Sequence, residues 1–172
     1  MRTTFALLFL LAAYSFGIGL DLKQLKKIVE PYLTALNVTE NHRTLIRCLT
    51  PMMARNWANT TGELMHRTNW NDSNDVAVKY RAFANMTVDC FNGMMMCSSD
   101  NSTRRIYETM RDITWNETDF GERVNDTFNE LTEGLRSYGS QFAARRYESA
   151  GMFLGNVTYD FFFDDNMTVF TE

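Results

Sequence analysis

A chain of 172 residues that is 45% hydrophobic and 13% aromatic, with a net charge of −4, holds enough apolar mass for one folded domain and too little charge for a disordered tail. The acidic balance, with no basic cluster, excludes nucleic acid as a partner. Two prolines and nine glycines favour helices over a turn-rich β architecture, so the expected fold is all-α, a disulfide-stapled and N-glycosylated bundle of about five or six helices.

Residues 1–19 read as a signal peptide. Arg2 gives a positive start, residues 5–13 are apolar, and Gly17-Ile18-Gly19 offers a small-x-small site for cleavage after Gly19, with Ala13-Tyr14-Ser15 as the alternative. The apolar run is short for an uncleaved membrane anchor. Residues 20–172 then form a single helical domain with sixteen basic and twenty-one acidic residues, a charge of −5. No second segment reaches membrane-spanning length, and the aromatic run 161–163 meets Asp164 and Asp165, unlike a lipid-anchor tail.

In residues 20–36, Leu22, Leu25, Val29, Leu33 and Leu36 fall at helical spacing, and Pro31 predicts a kink or a split into two shorter helices. Thr39 is the expected N-cap of the next helix, with Glu40 in its first turn and Leu45, Ile46 and Leu49 forming a stripe beside Cys48. Pro51 begins a continuation through Met52, Met53, Trp57, Leu64 and Met65, weakened in its middle by Thr60, Thr61 and Gly62. A loop over 68–74 precedes a long helix over 74–97, capped by Ser73 or Asn74. Val76, Tyr80, Phe83, Cys90, Phe91 and Met94 share its inner face, and Asn92-Gly93 is a candidate break.

After a turn at 98–102, Ile106, Met110 and Ile113 mark another helix. Thr118 with Asp119 and Glu122 starts one that runs to Tyr138 and closes at Gly139. The last helix spans 142–163, with Tyr147, Ala150, Leu154, Val157 and Phe161 on one stripe. Its Gly151 and Gly155 suit a tight packing position in a bundle. Residues 157–169 also alternate at strand period, so a short C-terminal strand competes there.

Nine sites match Asn-x-Ser/Thr: Asn37, Asn59, Asn71, Asn85, Asn101, Asn116, Asn125, Asn156 and Asn166. Fifteen asparagines and twenty-seven Ser or Thr would give roughly two or three by random placement, so the set implies N-glycans in the secretory pathway. Helical geometry turns Asn85 and Asn156 away from their apolar stripes and sets Asn125 on a flank.

Cys48, Cys90 and Cys97 are an odd set for an oxidising compartment. On an unbroken helix Cys90 and Cys97 are about 10 Å apart, too far to bond. A Cys48–Cys90 bridge is preferred, because Cys90 lies on the apolar stripe; Cys97 is then free or links two chains. Cys48–Cys97, or Cys90–Cys97 across a break at Gly93, are the alternatives.

His42 and His66 are the only histidines, and no HExxH, GxSxG, phosphate-cradling glycine loop or paired CxxC occurs, so no catalytic, metal-binding or cofactor residues are assigned. Asp160, Asp164 and Asp165 read as a solvated acidic end. The expected function is a secreted, non-catalytic glycoprotein acting by extracellular protein–protein contact or self-assembly, as a matrix or coat component or a receptor ligand. The competing expectation is a soluble carrier of lipid or another apolar ligand in a cavity lined by Phe and methionines such as Met52, Met53, Met65, Met86, Met94, Met95, Met96 and Met110.

Overall fold

The computed structural model describes residues 19–163, which contain eight α-helices, one 3-10 turn and no strand. The helices are α1 (Leu22–Ala35), α2 (His42–Leu45), α3 (Pro51–Arg67), α4 (Ser73–Met95), α5 (Asn101–Trp115), α6 (Glu117–Asp126), α7 (Phe128–Ala143) and α8 (Tyr147–Phe163), with the 3-10 turn Ile46–Cys48 after α2. The class is all-α as expected, but the count of five or six is too low. The helix expected from Thr118 to Tyr138 is interrupted at Thr127, whose hydroxyl donates to the Arg123 carbonyl at 2.8 Å while its backbone leaves the helical region. Gly139 does not close the segment. Helix α7 continues to Ala143 and ends where Arg145 turns left-handed at φ 58°, with the Arg146 N–H donating to Gln141 O at 2.9 Å.

Helix α1 starts with a reciprocal cap: Asp21 accepts from the Gln24 N–H at 2.7 Å, and Gln24 accepts from the Asp21 N–H at 2.9 Å. Pro31 does not split it. The helix ends with Asn37 at φ 55°, where the Val38 N–H reaches Leu33 O at 3.1 Å.

Asn41, not Thr39, caps α2, and Asp72, not Ser73 or Asn74, caps α4, because each accepts from the N–H two residues on. Helix α3 runs unbroken through Thr60, Thr61 and Gly62, and α4 runs through Asn92 and Gly93. The last helix begins at Tyr147 rather than 142 and stays helical to Phe163; the remainder of the alternating 157–169 stretch lies outside the described residues.

The first helix packs most extensively on the last. Glu148 lies 4.0 Å from Lys27, Gly151 lies over Ile28 and Pro31, and Gly155 lies over Tyr32 and Ala35, so α1 and α8 run parallel. A Cβ on Gly151 would run into the Ile28 carbonyl, and one on Gly155 would sit 2.8 Å from Tyr32 O and 2.5 Å from the Ala35 Cβ. The small-residue spacing is thus a packing device.

Around this pair, α4 supplies the axis of the core. Tyr32, Trp57, Phe83 and Tyr138 meet edge to face in series at 6.1, 5.8 and 5.5 Å, joining α1, α3, α4 and α7. Tyr80, Phe120 and Phe161 form a second cluster at 4.8 to 5.8 Å, joining α4, α6 and α8. Arg123 of α6 donates to the Phe161 carbonyl at 2.7 Å, satisfying one acceptor in the last turn of α8.

Replacing Gly151 or Gly155 by alanine should therefore destabilise the fold by about 1–3 kcal/mol despite alanine's higher helix propensity. Gly62, where an added methyl would meet nothing within 4 Å, is the control, and Gly62→Ala should stabilise by about 0.5–1 kcal/mol. Urea unfolding midpoints at unchanged slope measure both; a Gly151→Ala variant as stable as Gly62→Ala would contradict the close α1–α8 approach.

Candidate functional site

The residue set that sequence reasoning singled out is spread over the surface. Asn59, Asn85, Asn125 and Asn156 stand on α3, α4, α6 and α8, Asn101 opens α5, Asn116 caps α6, and Asn37 and Asn71 lie in turns; all eight are exposed. Asn166 lies outside the described residues. Exposure permits modification but does not single these positions out, because Asn41, Asn56, Asn69, Asn74, Asn92 and Asn129 are exposed as well. Two of the eight also have local backbone roles. Asn37 adopts the left-handed conformation that asparagine tolerates better than most residues, and the Asn116 side chain accepts from the Thr118 and Asp119 N–H groups at 3.1 and 3.3 Å.

The third residue of half of these eight triplets behaves differently. Six polar residues are buried among those described, all threonines, and four of them, Thr61, Thr87, Thr103 and Thr158, are the hydroxyl residues of these triplets. The cause is helical geometry: positions two apart are separated by about 200°, so an outward asparagine sends its partner inward. Each of these four hydroxyls is bonded. Thr61 pairs with the Tyr138 hydroxyl at 2.6 Å, Thr87 and Thr158 donate to the Ala84 and Leu154 carbonyls at 2.8 Å, and Thr103 donates to Glu40 at 2.8 Å. Sequence reasoning could have found this pairing by projecting the third residue of each triplet as well as the first.

A groove of about 270 Å³ opens between α3 and α4, with buried Trp57, Met86 and Cys90 at its base and exposed Asn59 and Asn85 among its lining. Other methionines act as packing. Met94 and Met110 are fully buried, Met53 fills the space left by Gly93, and Met65 fills that left by Gly139.

The cysteines pair differently from the preferred Cys48–Cys90. Cys48 bonds Cys97, with their Cα atoms 6.0 Å apart, and Cys90 is the buried free thiol. The apolar stripe turns Cys90 into the interior, whereas Cys97, just past the end of α4, meets the 3-10 turn that carries Cys48. Cys97 is therefore neither a free nor an interchain thiol. The bridge spans 49 residues and is worth about 4 kcal/mol in the chain-entropy account. Burial, with a smaller contribution from Asp89, pushes the Cys90 thiol up to about 12.

Beside the bridge, Glu40 crosses from the α1–α2 loop to the α4–α5 loop. Its carboxylate accepts from the Ser98 hydroxyl at 2.6 Å, the Ser99 N–H at 2.9 Å and the Thr103 hydroxyl at 2.8 Å. Partial desolvation raises its pKa, but the three donors outweigh that and hold it below the ordinary value.

The interior offers little acid–base chemistry. Burial pushes the phenols of Tyr32, Tyr80 and Tyr138 up, so they stay neutral, and the His42 Nε2 is engaged with the Val38 carbonyl at 2.8 Å. Among the described residues no three His, Cys, Asp or Glu side chains are grouped to hold a metal ion, and no helix is long and apolar enough to cross a membrane. Comparison with protein-family models, curated proteins and solved structures finds no match.

Two outcomes follow from this geometry. A thiol-reactive chromophore should titrate no cysteine in the native protein, one after unfolding without reductant and three after reduction; one reactive thiol in the native state would contradict the burial of Cys90. Glu40→Gln should lower stability at pH 7 by about 1 kcal/mol. Because the folded-state pKa is depressed, this contribution is complete above the unfolded value and is lost as pH falls through the folded one. The wild-type and variant unfolding curves should therefore converge in acid, and a difference that persists there would contradict the ionic role.

Proposed function

We propose that this chain is a heavily N-glycosylated protein of the secretory pathway that works by extracellular protein–protein contact, as a matrix or coat component or a receptor ligand, without catalysing a reaction. The observation that carries the reading is the number and placement of the acceptor triplets. Nine occur in 172 residues, and the eight in the described region stand exposed across five helices and two turns. The intramolecular Cys48–Cys97 bridge fits an oxidising compartment. With its remaining cysteine buried, self-assembly would be non-covalent.

The groove between α3 and α4 supports a second reading, a carrier of an apolar ligand, through the Trp57 and Met86 side chains at its base. Sugar on both Asn59 and Asn85 would crowd that opening, so the contact reading is preferred.

Intact mass of protein exported from eukaryotic cells, before and after enzymatic deglycosylation and with and without reductant, tests both. The expected result is a monomer that loses several glycan masses and carries no extractable lipid. A mass equal to the bare polypeptide would remove the glycoprotein reading, and a stoichiometric lipid would replace contact with carriage.

A further inference from the structure

Among the described residues, six large hydrophobic side chains remain at the surface: Met52, Val78, Met96, Trp115, Met152 and Phe153. All six precede an acceptor asparagine by seven residues or fewer. Met152 and Phe153 stand four and three residues before Asn156, Trp115 stands immediately before Asn116, Met96 stands five before Asn101, and Met52 and Val78 stand seven before Asn59 and Asn85. The Asn156 case is the closest fit. Residues three and four apart are neighbours on a helix surface, and each helical side chain leans over the turn N-terminal to it. Asn156, exposed on α8, therefore leans over Met152 and Phe153, which are 40% and 42% exposed.

We propose that the first sugar of an N-glycan on Asn156 lies on the Phe153 ring and the Met152 side chain and covers this apolar pair. The proposal rests on the glycoprotein reading above. One face of an N-acetylglucosamine ring presents C–H bonds, which are weakly positive and poorly hydrated, and the face of a phenyl ring is the negative side of its quadrupole. Stacking the two removes apolar area from water on both partners. The sugar is then a structural cover for a helix that leaves one phenyl ring, Phe153, half-exposed while it buries another, Phe161, in the core.

The test uses the full chain from glycosylating cells, with peptide mapping to establish occupancy of Asn156. Asn156→Gln is the variant of choice, because Thr158 is buried and its loss would disturb the core. Two readouts are compared in the Phe153 and Phe153→Ser backgrounds: the proton shifts of the first N-acetylglucosamine and the Tm. The expected result is upfield-shifted sugar protons only with Phe153, and a fall in Tm of about 2 °C on Asn156→Gln that Phe153→Ser abolishes. An occupied site with unshifted protons and equal Tm losses in both backgrounds overturns the stacking and leaves the glycoprotein reading intact. So does Phe153-dependent dimerisation of the glycosylated protein, which would make a second copy the cover. An empty Asn156 overturns the stacking by removing its sugar, while sugar at the other sites would preserve the broader reading.

Discussion

The rest of the architecture depends on the contact between the first and last helices. Two glycines one turn apart on α8 let its backbone approach that of α1 until only hydrogen atoms fit between Gly151 and the Ile28 carbonyl. Closing those two helices places Tyr32 at the centre of the domain, where it meets Trp57 and Phe91 edge to face at 6.1 Å each. The same approach brings Phe161 against Tyr80 and Phe120. Packing α1 on α8 brings together residues well over a hundred positions apart, so the loop-closure entropy is opposed by dense apolar burial. The disulfide closes a different, shorter loop near the Glu40 crossing and leaves this long one to non-covalent contacts.

Much of the helical class was legible because period and composition agree. The stripes of α1, α4, α5 and α8 reappear as buried residues, including Val76, Tyr80, Phe83, Phe91 and Met94 on α4, except that Leu22 on α1 and Tyr147 on α8 are only half-buried. What was not legible has a common cause: tertiary contacts overrode local preference. Gly93 weakens a helix in isolation, yet its missing side chain admits Met53. Thr61 is a poor helix former, yet its hydroxyl meets Tyr138 in the core. Thr39 and Ser73 are good caps in principle, and Asn41 and Asp72 took those positions by reaching the N–H groups first exposed. The bridge was misjudged for a related reason: an apolar stripe says that Cys90 is buried, not that a partner sulfur is buried with it.

The candidate site is harder to read, because nothing in it converges. Catalytic and metal-binding residues reveal themselves by meeting in space, whereas acceptor asparagines act one at a time and need only water on one side. Their number could be counted from the chain, and the fold adds where they stand: two flank the α3–α4 groove, and one stands a turn beyond the exposed Met152 and Phe153 on α8. The contribution of structure here is therefore a map of which surface sugar would claim.

For any sugar added at these triplets, the buried threonines would set an order of events. A transferase that recognises an asparagine together with the hydroxyl two residues on needs both on one accessible side, as an extended chain presents them. Once α3, α4, α5 and α8 form and pack, the hydroxyls of Thr61, Thr87, Thr103 and Thr158 are inside, bonded to Tyr138, Ala84, Glu40 and Leu154. The finished domain is thus closed to the enzyme at four positions whose asparagines remain in full view, and any sugar found there records a moment before folding.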